Sequence, residues 1–308
     1  MKKYLIVLLL IQCVNNSFAQ ETKTYIDTAF YGNGKIHTIT YKTNNLKDKI
    51  IYYGEDGGLN SEMNFKNDKR DGITIFYNKK GKIDATCIYK DGRKKGDYVN
   101  YSDSGKVICT GSYENGLQSG LWTWYYESGN KSNRSFYKKD IAVVDTGFYV
   151  EGNVSSIATY NDEGTEGKRT YYYKNGKKWV ESSLKDKKYN GKTTYYYENG
   201  NLKYTGEFID GKMNGERLCY DENGKLSNGD FVVYDQYGGV ERECKCINGR
   251  PEGELKVYNT SGDLFMLVNF KNGKPDGLAY YYGKGKKVYL TELYKNGTFV
   301  KEITDEDK

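Results

Sequence analysis

The segment GKTTYYYENGNLKYTGEFIDGKMN, Gly191 to Asn214, contains the unit from which most of the chain is built, and the same phrase restarts at Gly215. The unit has an aromatic run, a turn that ends in Gly200, an aliphatic residue two positions later and an aromatic residue eight positions later. Turn glycines recur twelve times, and ten of their eleven intervals are 23 or 24 residues. Such a sustained period indicates a repeat architecture. The turn glycines are Gly34, Gly57, Gly81, Gly105, Gly129, Gly152, Gly176, Gly200, Gly224, Gly238, Gly262 and Gly285.

The spacing around each turn glycine predicts a β-hairpin. A Tyr or Phe lies four residues before every one of these glycines, and short apolar runs are bounded by Gly, Asn, Asp and Ser. A three-residue loop such as Glu198–Gly200 is expected, because its last position takes a left-handed backbone at which Gly is favoured. This loop predicts that positions −4, +2, +4, +6 and +8 share one buried face. The fold class is therefore predicted to be all-β, an elongated, open, single-layer antiparallel sheet of about twelve hairpin repeats.

Residues 1–19 are predicted to be a signal peptide. Met1–Lys3 is a short positive region, Tyr4–Ile11 is an apolar run, and Ser17–Ala19 places small residues before a cleavage point. A membrane anchor and a lipoprotein that is modified at Cys13 are the alternatives. The mature chain is expected to be exported, to the periplasm, the cell envelope or the exterior.

Residues 20–308 are predicted to form one repeat array. The regularity is interrupted near 138–152 and near 224–238, and residues 295–308 are a polar tail. The formal charge of residues 20–308 is 45 − 41 = +4, a mild balance that gives no argument for nucleic-acid binding.

Composition gives no indication of an enzyme, a cofactor or a metal site. The one histidine, His37, rules out the usual His-centred catalytic triads. Acidic residues recur once per repeat near the turns, which is typical of turn chemistry. The cysteines are predicted to be small buried hydrophobic residues, with their redox state left open; those beyond residue 19 are Cys87, Cys109, Cys219, Cys244 and Cys246.

A second set of aromatic residues, at positions −5 and −3 from the turn glycines, is predicted to lie on the opposite face of the sheet. A sheet with one buried face should carry polar residues there. This face either packs against itself or is an exposed platform for a partner. The candidate partner-binding residues are Trp124, Tyr126, Tyr171, Tyr173, Tyr195 and Tyr197.

Two stretches, YYENGNLKYTGEFIDGKMNG and YNTSGDLFMLVNFKNGKPDG, resemble MORN repeats. They are most similar to the bacterial variant of the YwqK-type toxin–antitoxin antitoxin family, and the resemblance extends over about residues 30–295. It implies a twisted sheet of hairpins without a cofactor, and contacts with phospholipid, with protein or with a second copy.

The leading functional hypothesis is therefore an exported, non-enzymatic scaffold that binds a protein, or itself, through the second aromatic face. One alternative is a membrane-surface or cell-wall glycan binder that uses the basic loops, residues 90–95 and 185–188, together with the tyrosines. A second alternative is an antitoxin or immunity partner.

Overall fold

The computed structural model describes residues 5–8, 22–234 and 239–304. Of the predicted signal peptide, only a short strand, Leu5–Leu8, lies within the described residues. The rest of the signal peptide and residues 305–308 of the predicted tail lie outside them. The chain divides into two compact units. The first comprises residues 1–142 and 150–152, and the second comprises residues 143–149 and 153–308.

In the first unit every strand pairs antiparallel with the next strand in sequence, from β1 to β11. The strands are β1 Leu5–Leu8, β2 Thr24–Phe30, β3 Ile36–Thr43, β4 Leu46–Tyr53, β5 Leu59–Lys66, β6 Lys69–Tyr77, β7 Ile83–Lys90, β8 Arg93–Tyr101, β9 Val107–Glu114, β10 Leu117–Tyr125 and β11 Lys131–Lys138.

The second unit has the same antiparallel pairing in two runs, β12–β18 and β19–β25. The first two residues of β12 belong to the first unit. The strands are β12 Ile141–Phe148, β13 Val154–Tyr160, β14 Glu166–Tyr172, β15 Lys178–Lys185, β16 Lys188–Tyr196, β17 Leu202–Ile209, β18 Lys212–Cys219, β19 Gly229–Tyr234, β20 Val240–Ile247, β21 Arg250–Tyr258, β22 Leu264–Lys271, β23 Lys274–Tyr282, β24 Val288–Lys295 and β25 Thr298–Glu302.

The prediction of an all-β, open antiparallel sheet of hairpins is confirmed. The helical element in the described part of the chain is one turn of 3-10 helix, Lys284–Lys286. Among the described residues, no helix has the length and apolar character that a bilayer span requires.

Two kinds of hairpin loop alternate along most of the described chain. In the first kind, Gly200 N–H donates to the Tyr197 carbonyl at 2.8 Å, and Tyr197 N–H donates to the Asn201 carbonyl at 2.8 Å. This is the predicted three-residue loop, and Gly200 has the left-handed φ of +96° that the loop requires. The second kind is a two-residue loop such as Asp210–Gly211, where both residues have positive φ.

A β-bulge follows from the three-residue loop and changes the predicted faces. Tyr195 pairs with Tyr204, whereas the next residue, Tyr196, pairs with Leu202, and the register shifts between Tyr195 and Tyr196. The same shift lies between positions −5 and −4 in the other hairpins of this kind, for example between Trp124 and Tyr125. Because a one-residue shift moves a side chain to the other face, position −5 shares a face with +4. The prediction that positions −4 and +2 lie on the buried face is wrong: position +2 pairs with −4, and Ile83 and Val107 at +2 are 40% and 37% exposed.

The face that carries positions −7, −5, +4, +6 and +8 is called here the inner face. In the first unit it is lined by buried residues of several sizes, including Thr74, Ala85, Cys87, Cys109 and Trp122. The burial predicted for positions +4, +6 and +8 is therefore observed.

Strand β18 is the element on which the second unit is assembled. Its backbone N–H groups at Gly215, Arg217 and Cys219 donate to the carbonyls of Gly297, Gly273 and Gly249 at 2.9, 2.7 and 2.7 Å. These three acceptors lie in successive two-residue loops of the β19–β25 run. A hydrophobic core fills the space between β18 and that run; it comprises Met213, Leu255, Val268, Phe270, Ala279 and Tyr294.

Candidate functional site

The six predicted binding residues are divided between the two units. Trp124 and Tyr126 belong to the first unit, and the other four belong to the second. Trp124 lies on the inner face, where its ring stacks on Trp122 with the ring centroids 6.1 Å apart. Trp122 is 2% exposed, and its indole N–H donates to the Ser112 carbonyl at 3.1 Å. Trp124 is thus a half-buried residue of this aromatic cluster.

The two other residues at position −5 are also half-buried on the inner face. Tyr171 packs against Trp179, with the ring centroids 6.1 Å apart. Tyr195 packs against the fully buried Tyr204 at 5.3 Å, and the Arg242 guanidinium lies 4.7 Å from the Tyr195 ring centroid. The predicted second face therefore does not carry the −5 residues.

The tyrosines at position −3 join one repeat to the next. The Tyr173 hydroxyl donates to the Tyr196 carbonyl at 2.8 Å, and the Tyr197 hydroxyl donates to the Tyr220 carbonyl at 2.7 Å. Burial raises the pKa of Tyr197 to about 12. These hydroxyls fix each hairpin loop to the loop of the following repeat. Binding of a partner by the six aromatic residues stays a prediction.

The tyrosines at position −4 lie on the outer face, opposite the inner face, and meet acidic residues at position +5. The Tyr77 hydroxyl donates to Glu62 at 2.8 Å, and Lys49 forms an ion pair with the same carboxylate. The pKa of Glu62 is lowered, chiefly by the hydrogen bond from Lys49 and then by that from Tyr77. The same pairing recurs between Tyr258 and Glu243 at 2.7 Å.

An exposed set of apolar residues lies on the outer face of the first unit. Ile73 pairs across the strands with Ile88, and Leu121 pairs with Phe136. These four residues, called here the outer apolar patch, are 37–46% exposed. The hairpin β8–β9 lies between the two pairs and places Asp97 opposite Ser112 at the same level. Apolar residues at positions −8 and +7 were the signal for this surface in the sequence, and sequence reasoning missed it.

A second feature missed by sequence reasoning is a cluster of three thiols in the second unit. The Sγ atoms of Cys219, Cys244 and Cys246 all lie within 4.8 Å of one another. Hydrogen bonds to the Cys244 sulfur lower the pKa of Cys244. The larger effect comes from Cys219 and the smaller one from Cys246. By contrast, Cys109 in the first unit is an ordinary buried thiol, and burial raises its pKa to about 11.

Two arginines, one buried and one half-buried, lie two residues before cysteines of this cluster. Arg217 precedes Cys219 on β18, and Arg242 precedes Cys244 on β20. Arg217 is 3% exposed, and its Nε and Nη2 atoms have no hydrogen-bond partner among the described residues. Burial lowers the pKa of Arg217 to about 10. In the sequence, the signal for this cluster was an arginine two residues before a cysteine, which occurs at Arg217–Cys219 and again at Arg242–Cys244.

The fold defines an open, hairpin-repeat β protein, and the comparison with protein families identifies the repeat. Segments of the chain match the family model of the MORN repeat variant, and together they cover about a third of it; the matched segments are 118–139, 165–186, 189–210, 213–228 and 251–272. These five segments are similar to MORN-variant repeats, as the resemblance predicted. No curated protein matches the chain.

Solved structures that align with the chain do so at very low similarity. A porin-like protein from Bacteroides uniformis is 11% identical, with a TM-score of 0.20, and the alignment covers 82% of this chain and 90% of the porin-like chain. The Tc holotoxin pore of Photorhabdus luminescens is 12% identical, with a TM-score of 0.18, and a TcdB2–TccC3 toxin complex is 12% identical, with a TM-score of 0.17. The chain spans only 16% and 17% of these two toxin chains.

Proposed function

We propose that this chain is an exported, non-enzymatic repeat scaffold that binds a protein partner through the outer apolar patch of its first unit. The observation that carries the proposal is the exposure of Ile73, Ile88, Leu121 and Phe136 at 37–46% on one face of the sheet. Within each cross-strand pair, two apolar side chains form a larger continuous surface than a single one does. A polar pair, Asp97 and Ser112, between them supplies hydrogen-bonding groups of the kind found in protein interfaces.

The alternative of a membrane-surface binder has less support from the charges. Within the basic loop of residues 90–95, Lys90 forms an ion pair with Asp71 at 2.9 Å, and Lys95 forms one with Glu114 at 3.2 Å. These acidic neighbours reduce the local positive potential that anionic head groups would require. An antitoxin-type role, which the resemblance implies, would use the patch for the toxin as its partner.

The test is a pull-down with the immobilised mature chain against solubilised cell envelope at low and at high salt. One stoichiometric protein, retained at high salt, is expected. The double variant Ile88→Ser/Phe136→Ser should lose it, whereas the matched variant Ile209→Ser/Phe265→Ser, which changes exposed apolar residues of the second unit, should retain it. Unchanged capture by the patch variant with an intact circular dichroism spectrum would refute the proposal, and capture only of lipid or wall material at low salt would favour the alternative.

Export is tested separately, by the mass of the chain recovered from periplasmic and culture fractions. The expected mature chain begins at Gln20. Recovery of an uncleaved chain from the cytoplasm would refute this part of the proposal.

A further inference from the structure

The three thiols of the second unit have the separations that a single metal ion requires. The sulfurs of Cys244 and Cys246 are 3.8 Å apart, and all three sulfurs lie within 4.8 Å of one another. With metal–sulfur bonds of about 2.3 Å, sulfurs lie ~3.8 Å apart in a tetrahedral site and ~4.0 Å apart in a planar three-coordinate site. Only side-chain adjustments of less than about 1 Å would bring the three sulfurs to one ion.

The backbone holds these ligands in place before any ion binds. Cys219 ends β18, where its N–H donates to the Gly249 carbonyl at 2.7 Å, just beyond the end of β20. Cys244 and Cys246 are two residues apart on β20, and both contact the buried cluster to which Cys219 belongs. The site therefore joins two strands that belong to different sheets.

Two of the three thiols lie in a buried, mostly apolar cluster, and Cys244 is half-buried at its edge. Cys219 is 0% exposed and Cys246 is 1% exposed, and the cluster includes Tyr204, Phe231 and Val233. Among the described residues, the group of possible ligands contains three cysteines and neither a histidine nor a carboxylate. Sulfur ligands select soft ions such as Cu(I) and zinc. Zinc requires a fourth ligand, whereas three sulfurs suffice for Cu(I).

Two arginines place positive charge beside this site. Three thiolates around Cu(I) carry a net charge of −2, and burying that charge in an apolar core is costly unless cations lie nearby. The guanidinium groups of Arg217 and Arg242 lie 5.4 and 5.0 Å from the ring of Tyr204, which belongs to the same buried cluster as the cysteines. Arg242 is paired with Glu241, but Arg217 is buried without a hydrogen-bonding anion among the described residues.

We propose that Cys219, Cys244 and Cys246 form a three-thiolate site for one Cu(I) ion, with Arg217 as a buried cation that offsets one of its two net negative charges. Binding converts three thiols to thiolates and releases their protons to solvent, and the oxidation state of the metal and of the sulfurs does not change. The proposal departs from the expectation that this chain has no metal site. It does not depend on the partner-binding function.

The test is an anaerobic titration of the fully reduced mature chain with Cu(I), in competition with a coloured Cu(I) chelator, and in parallel with Zn²⁺. One Cu(I) per chain is expected, together with the ultraviolet charge-transfer absorption of a copper–thiolate complex. The variant Cys244→Ser should lose both signals. The matched control Cys87→Ala, which removes an equally reduced thiol from the first unit, should retain them.

The variant Arg217→Met keeps all three thiols. It tests the site without removing a ligand, so that weaker Cu(I) binding cannot be explained by a misfolded cysteine variant. It should fold, because a buried guanidinium can be replaced by an apolar side chain of similar length, and it should bind Cu(I) at least tenfold more weakly. The proposal is overturned if Cu(I) is not bound, if Cys244→Ser binds it as the wild type does, or if Zn²⁺ is bound and Cu(I) is not. A disulfide that forms between two of the three cysteines in preference to metal binding would also overturn it.

Discussion

Gly111→Ala is expected to destabilise the first unit strongly, although it adds a single methyl group. A Cβ atom at Gly111 would lie 2.1 Å from the Trp122 ring, where ordinary contacts begin at 3.4 Å. The indole would therefore have to move by at least about 1.3 Å. It is held by the hydrogen bond to the Ser112 carbonyl at 3.1 Å and by the rings of Tyr98 and Tyr113 at 5.5 and 5.2 Å.

The magnitude follows from these contacts. Overpacking a filled core costs about 1–3 kcal/mol, and loss of the indole hydrogen bond adds about 0.5–1.5 kcal/mol. We expect a loss of about 2–4 kcal/mol in the free energy of unfolding. Urea unfolding monitored by tryptophan fluorescence measures it, because Trp122 and Trp124 both lie in this aromatic cluster.

Gly32→Ala is the matched control, since a Cβ at Gly32 meets nothing within 4 Å. It should change the urea midpoint little. The double variant Gly111→Ala/Trp122→Phe should be less destabilised than the sum of its single changes, because the smaller ring makes room for the methyl group. If Gly111→Ala unfolds at the same urea concentration as Gly32→Ala, the packing argument is refuted.

Two further predictions concern the hydrogen bonds that tyrosines make between repeats and strands. Tyr173→Phe removes a hydroxyl that donates to the Tyr196 carbonyl, and it should lower the free energy of unfolding by about 0.5–1.5 kcal/mol, measured by urea unfolding. The control Tyr289→Phe changes a 62% exposed residue and should leave the free energy of unfolding unchanged. Equal effects of the two variants would contradict the structural role of the Tyr173 hydroxyl. Glu62 has a lowered folded-state pKa, so its stabilisation is present above its ordinary pKa of 4.5 and is lost as the pH falls through the folded value. The decline in urea midpoint between pH 5 and pH 3 should therefore be smaller in Glu62→Gln than in the wild type, and equal declines would show that the ion pair with Lys49 contributes nothing.

The repeat and its loops were predictable because they depend on local chemistry. The glycine period, the loop Glu198–Gly200 and the burial of positions +4, +6 and +8 follow from turn preferences and from the alternation of side chains along a strand. The candidate binding residues were not predictable in the same way. The bulge between Tyr195 and Tyr196 moves position −5 to the inner face, and the sequence alone did not reveal that one-residue shift.

The amino-acid sequence by itself thus determined that this protein is a β-hairpin repeat array, because every repeat carries its own turn and strand signals. The tertiary structure alone decided which side chains meet. Arg217 and Cys219 on β18 approach Cys244 and Cys246 on β20 because the edge of β18 is bonded to loops far along the chain, at Gly249, Gly273 and Gly297. Contacts of this kind arise from the packing of one run of strands against another, which the spacing of residues within a repeat does not specify.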